Sequence, residues 1–178
     1  MEIKCLVIYV LALLLVGSCG YTDWSVQKIT NKWTLPAIWL GLLVNLLLWG
    51  LDGLADSFLG LLSGTALFFL FVIRMLQAGD VKLFMALGAI LGWRMNLWIM
   101  VSSILLGGIA GVAVMAIHQN GRQRFQRLWL YIKRLFLMQR WERYDADGEG
   151  AYLCFGVCIA AGTCLVIGAE ILGIIDSF

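Results

Sequence analysis

Two aspartates, Asp23 and Asp80, stand where long apolar runs meet short polar stretches, in Cys19-Gly20-Tyr21-Thr22-Asp23 and Gln77-Ala78-Gly79-Asp80-Val81-Lys82. A carboxylate in or near hydrocarbon is costly, so its presence there points to function. Two carboxylates brought within a few ångströms cannot both ionise comfortably and share a proton. The ionised member can draw a proton from water while the protonated member polarises a substrate carbonyl and later protonates the leaving amine. That is aspartic-protease chemistry, which requires neither a metal nor a covalent intermediate. Taken singly, each aspartate is equally well read as a helix cap or a headgroup-layer residue.

The neighbouring residues suit a paired site. Gly79 has no Cβ, so a substrate backbone or an opposing helix can come close to Asp80. Lys82 reads as a side chain snorkelling to the headgroups, or as a charge that biases the local field. Asn31, in the polar stretch after Asp23, reads as a cap for the next helix or a tie for the connector.

The elements that must position these residues are membrane helices. The chain has 178 residues, 62% hydrophobic and 13% charged, with one proline. A soluble domain is roughly half apolar, and here the excess runs along the whole length. The fold class expected is therefore all-α, a polytopic membrane protein. With about 20 apolar residues needed per crossing, six transmembrane helices are expected, at roughly 3–20, 35–51, 57–76, 80–93, 97–117 and 151–174. The fourth run is short. A helix from Leu76 to Trp93 would be about 27 Å long, so it crosses only if Asp80 lies at or inside the membrane boundary. Val16-Gly17-Ser18-Cys19 has the look of a lipoprotein cleavage box. Glu2 offsets Lys4, however, and the chain beyond Cys19 is itself apolar, so the first segment is expected to stay as a helix.

Charge sets the expected orientation. With the N-terminus outside and six crossings, eleven cations fall on inner connectors and only Lys4 and Arg94 outside. The positive-inside rule favours that arrangement. The outer connector Leu51–Ser57 then carries Asp52 and Asp56 with no cation. Both Asp23 and Asp80 fall on the cytoplasmic side. Residues 1–178 are expected to form a single integral-membrane domain, with 118–150 as a cytoplasmic connector. In that connector Phe125, Leu128, Trp129, Ile132, Leu135 and Phe136 recur at helical spacing among Arg124, Arg127, Lys133, Arg134 and Arg140. This pattern predicts an amphipathic interfacial helix whose basic 122–143 stretch faces anionic lipid headgroups.

Other chemistries find little support. Asp145-Ala146-Asp147-Gly148-Glu149 lacks the downstream bidentate glutamate of a calcium loop and reads as a solvated linker. The five cysteines form no Cys-x-x-Cys pair, and His118 is the single histidine, so no metal is expected. No other cofactor and no nucleic-acid partner is expected, and the oligomeric state is left open.

Asp23-x5-Ile29-x-Asn31, followed by Ala78-Gly79-Asp80-Val81-Lys82-Leu83 and Ala86-Leu87-Gly88, resembles the type IV prepilin peptidases, membrane aspartic proteases with a Gly-x-Gly-Asp signature. The resemblance runs from about Leu11 to the last apolar segment, where Gly156–Gly162 is similar to the family's final helix. It implies Asp23 and Asp80 as the catalytic pair. The implied reaction is hydrolysis of the leader peptide from prepilins or pseudopilins at the cytoplasmic face of the bacterial inner membrane. Three departures stand out. Gln77 replaces the first glycine of the signature, and Thr30 stands where the family commonly has proline. The N-terminal region with paired cysteines is also missing, so the chain looks like a short, peptidase-only form. Gln77 leaves open a catalytically weak or inactive component of a pilus or secretion assembly. Intramembrane carboxylates leave open a small proton- or cation-coupled transporter.

Overall fold

In the computed structural model the described residues are 3–26, 31–72, 76–117 and 155–174. Their regular structure is helical: α1 (Ile3–Val26), α2 (Asn31–Ala66), α3 (Phe68–Val72), α4 (Ala78–Ile117) and α5 (Phe155–Ile171). Three segments are long and apolar enough to cross a membrane, Lys4–Asp23, Trp33–Val72 and Ala78–Ala113, and Phe155–Ile171 is a shorter apolar helix. The expected interfacial helix of the 118–150 connector, Lys28 and Arg74 all lie outside the described residues. Two compact units are distinguished, Met1–Leu106 with Cys154–Phe178, and Gly107–Leu153. Both aspartates belong to the first. Of the second, the described residues are the helical end of α4.

The first unit is built with its polarity reversed relative to a water-soluble protein. Leu14, Leu47, Phe69 and Leu165 face outward, while Asp23, Asn45, Asp80, Asn96 and Thr163 are buried among Ile8, Phe84, Leu87 and Ile159. An apolar exterior is what hydrocarbon solvates. Asp23, Asn45, Asp80, Thr163 and the Asn96 side-chain nitrogen find partners there instead of water.

α1 extends past the end that hydropathy suggests. Polar residues follow Gly17, but the hydroxyls of Ser18, Thr22 and Ser25 each donate to a backbone carbonyl three or four residues back. The chain thus stays helical through a polar stretch. Asp23 therefore lies in the last turns of α1 rather than in a connector beyond it.

The expected connectors at 51–57 and 94–96 are also helical. In their place α2 breaks at Gly50 (φ 69°) and α4 at Gly92 (φ 81°), positive φ values that glycine adopts without steric cost. Both breaks fold the chain back on itself. A Cβ at Gly53 would lie 2.6 Å from the carbonyl oxygen of Asn45, and one at Gly88 would lie 2.7 Å from the Asn96 side-chain nitrogen. Residues eight apart in a straight helix are separated by about 12 Å. Each reversal strands carbonyls of the turn before it, because the amides that would have met them have turned away. Side chains from other segments supply the missing donors. Lys4 Nζ donates to the Leu48 carbonyl at 3.2 Å, and Asn45 Nδ2 donates to the Ala89 and Ile90 carbonyls at 3.1 and 2.9 Å.

Small residues let these segments approach at backbone distance. Gly60 meets Gly88, Gly64 meets Met85, and a Cβ at Gly41 would sit 2.7 Å from the Ala89 carbonyl oxygen. In membranes such close packing supplies the association that water would otherwise drive. α1 packs against α5 and α2. The α1–α5 pair is antiparallel, since Tyr9 hydrogen-bonds Glu170 near one end and Asp23 bonds Gly156 near the other. The Tyr9 hydroxyl gives Glu170 a partner that the sequence did not make evident.

Between them, Gly20 and Ala160 are close enough to test. A Cβ at Gly20 would lie 3.7 Å from that of Ala160, inside the roughly 3.5–4.5 Å window of a disulfide. Gly20→Cys with Ala160→Cys, in a chain whose native cysteines are replaced by serine, is expected to cross-link under mild oxidation. A faster-migrating band on a non-reducing gel would report it, and its absence would contradict the α1–α5 register.

Candidate active site

Both aspartates are carried by helix ends. Asp23 is 6% exposed and Asp80 4%, so each is withdrawn from bulk solvent. A charge so placed must be met by fixed dipoles or by another charge. For both, a backbone amide supplies part of that.

Asp80 belongs to the first turn of α4. The Gln77 carbonyl accepts from the amides of Asp80 and Val81 at 3.1 and 3.4 Å, which makes Gln77 the N-cap residue. In return the Asp80 carboxylate accepts from the Gln77 amide at 3.1 Å. This is the backward arm of a capping box, and it also places the negative charge at the positive end of the helix dipole. The bond uses the main chain of residue 77, so glutamine forms it as readily as glycine, and the Gln77 side chain is exposed. The signature's missing glycine thus leaves the cap on Asp80 intact.

Asp23 accepts from the amide of Gly156 in the first turn of α5, at 2.9 Å. The two carboxylates come from separate helices, α1 and α4. They share one end of the unit. Lys4 and the break at Gly50 mark the opposite end, and the contacts of Gly64 with Met85, Gly60 with Gly88 and Gly92 with Asp56 run from the aspartate end toward it.

The other residues singled out from sequence are placed unequally. Gly79 is half-buried in the first turn of α4, directly before Asp80. Lys82 is half-buried and has a partner of its own. Asn31 is the first residue of α2, and its side chain lies outside what is described. Gly156 had no functional reading in the sequence. Its signal was there in weak form: Gly156 and Ala160 are small residues one turn apart, a spacing that lets another helix approach.

A helical chain with an apolar exterior and two buried carboxylates at helix ends belongs among membrane proteins with polar groups in the interior. Residues 7–112 match the Type IV leader peptidase family. The chain belongs to that family. Among curated proteins it is similar to a prepilin leader peptidase/N-methyltransferase of Aeromonas hydrophila, 30% identical over 112 residues, covering 58% of this chain and 38% of the relative. The protein of the same name from Burkholderia pseudomallei (strain K96243) is 35% identical over 114 residues, covering 58% and 35%. That of Legionella pneumophila is 32% identical over 121 residues, covering 64% and 42%. The chain thus spans well under half the length of these relatives. No solved structure matches it.

Proposed function

We propose that this chain is an aspartic endopeptidase of the bacterial inner membrane that removes leader peptides from prepilins or pseudopilins. Asp23 and Asp80 are its catalytic pair. The observation that carries the reading is a pair of buried carboxylates on different helices, each held by one backbone amide, at one end of a chain of the leader peptidase family. Amide anchoring fixes one oxygen of each carboxylate and leaves the other for the reaction. One aspartate takes a proton from water as the water attacks the scissile carbonyl carbon, while the other, protonated, polarises the carbonyl oxygen. The second aspartate then protonates the leaving amine as the C–N bond breaks, so the pair ends with its proton on the opposite member.

The six-crossing topology supports placing the site at the cytoplasmic face. In this reading the breaks at Gly50 and Gly92 separate successive passes, which with α1 and α5 makes six. With the N-terminus outside, both reversals face outward and the aspartates face the cytoplasm, in line with the cation distribution. Residues 1–178 then work as one peptidase domain, with 118–150 as a basic cytoplasmic connector against anionic headgroups. The substrates suit this depth, since the scissile bond of a prepilin separates a basic leader from a hydrophobic helix. Gln77 and Gly79 shape the approach to Asp80. Lys82 and Asn31 lie at the same end.

Co-expression with prepilins and pseudopilins, followed by the size of the pilin, tests the proposal. The parent chain is expected to produce the shortened form of at least one of them. Full-length substrate in every case would overturn it.

A further inference from the structure

We infer that Gly156 is a positioning residue for Asp23, holding its carboxylate from a helix other than its own; the inference rests on the peptidase reading above. Asp23 is near the C-terminal end of α1, where the helix dipole opposes a negative charge. Asp80 has the reverse situation, at the favourable end of α4. Asp23 must therefore draw compensation from elsewhere. The Gly156 amide supplies it: a first-turn N–H has no acceptor within its own helix and lies at the positive end of α5. The 2.9 Å bond is buried and charge-assisted.

The space around this bond requires glycine. A Cβ at Gly156 would stand 2.8 Å from the bonded carboxylate oxygen and 3.0 Å from both Cβ and Cγ of Asp23. Asp23 is too short to yield at its tip alone, so a side chain at 156 displaces the group that the amide anchors. The position of the Asp23 carboxylate is then set by the α1–α5 contact, of which Gly20 against Ala160 is the next layer. Gly156 lies beyond the residues matched by the family.

The test compares Gly156→Ala with Gly168→Ala in the full chain, reconstituted with a cleaved prepilin. A Cβ at Gly168 meets nothing within 4 Å, which makes it the control for helix stiffening. Glycine-to-alanine changes ordinarily favour a helix, so a structural role without positioning predicts no loss at either site. The expected result for Gly156→Ala is a kcat about 100-fold lower, the effect of misplacing a reacting group by about an ångström. KM should stay within about threefold, and the Gly20→Cys/Ala160→Cys cross-link should still form. Gly168→Ala should match the parent.

Parent-like kcat in Gly156→Ala would overturn the inference, as would a loss of kcat accompanied by loss of the cross-link. A second readout does not depend on cleavage. In protein labelled with 15N-glycine, the amide signal that disappears in Gly156→Ala should shift upfield in Asp23→Asn, where a neutral acceptor replaces the charge. An unmoved signal would mean that the bond is absent. A parent inert on every prepilin would sink the peptidase reading, while this signal still decides whether the anchor exists.

Discussion

Asp23→Asn and Asp80→Asn will each lower prepilin cleavage by about 10²–10⁴-fold, the range in which a positioned acid or base contributes to proton transfer. The substitution is nearly isosteric. An asparagine carbonyl can still accept from the Gly156 or Gln77 amide, so the helix ends should remain capped. What disappears is a group that can exchange a proton. Stability should move the other way or not at all, because a buried neutral amide avoids the desolvation that a buried carboxylate bears. A variant that is inactive yet melts at or above the parent temperature is the signature of a group kept for chemistry at some expense of stability. Cleavage at the parent rate by both variants would remove the pair from the mechanism. Processing lost in one variant only would mean that the carboxylates do not work together.

The largest effect on stability is expected at Asn45, far from the chemistry. Its side-chain nitrogen serves the Ala89 and Ile90 carbonyls stranded by the reversal at Gly92, and the Gly41 carbonyl of its own helix at 3.1 Å. Asn45→Leu keeps the volume and removes the donor. Each buried carbonyl left without a partner costs about 1–3 kcal/mol, so the loss across the two should be a large part of a typical domain's stability. Thermal unfolding in detergent should show a clearly lower midpoint for Asn45→Leu. Asn45→Asp should show the same, since a carboxylate donates nothing when ionised. Activity measured well below the midpoint should fall too, because Asp80 opens the half of α4 that ends at those carbonyls. An unchanged midpoint would mean that the reversal satisfies its own backbone.

The helical character of the chain was legible from hydropathy alone, and the catalytic candidates were legible from residue type, charge asymmetry and motif. The form of the reversals was not. Hydropathy registers the charges of Asp52, Asp56 and Arg94 and suggests connectors around them. The backbone instead turns at Gly50 and Gly92, leaving those charges on helices. A transfer scale measures polarity and carries no information about φ. Asp23 was misplaced for a similar reason. Its polar neighbours suggest the end of a helix, whereas three hydroxyls return their hydrogen bonds to the helix and prolong it. The partner of Asp23 was illegible because no local pattern connects residues so distant in the chain.

That separation has a consequence during synthesis. Asp23 leaves the ribosome 133 residues before Gly156. Through most of translation the nascent protein carries one aspartate without its amide and, from the middle onward, a second that has capped itself. A chain interrupted before α5 would hold both acidic groups and lack the amide that holds Asp23. On the proposed mechanism, hydrolytic competence arrives with α5, and chains interrupted before it pose little threat to their neighbours.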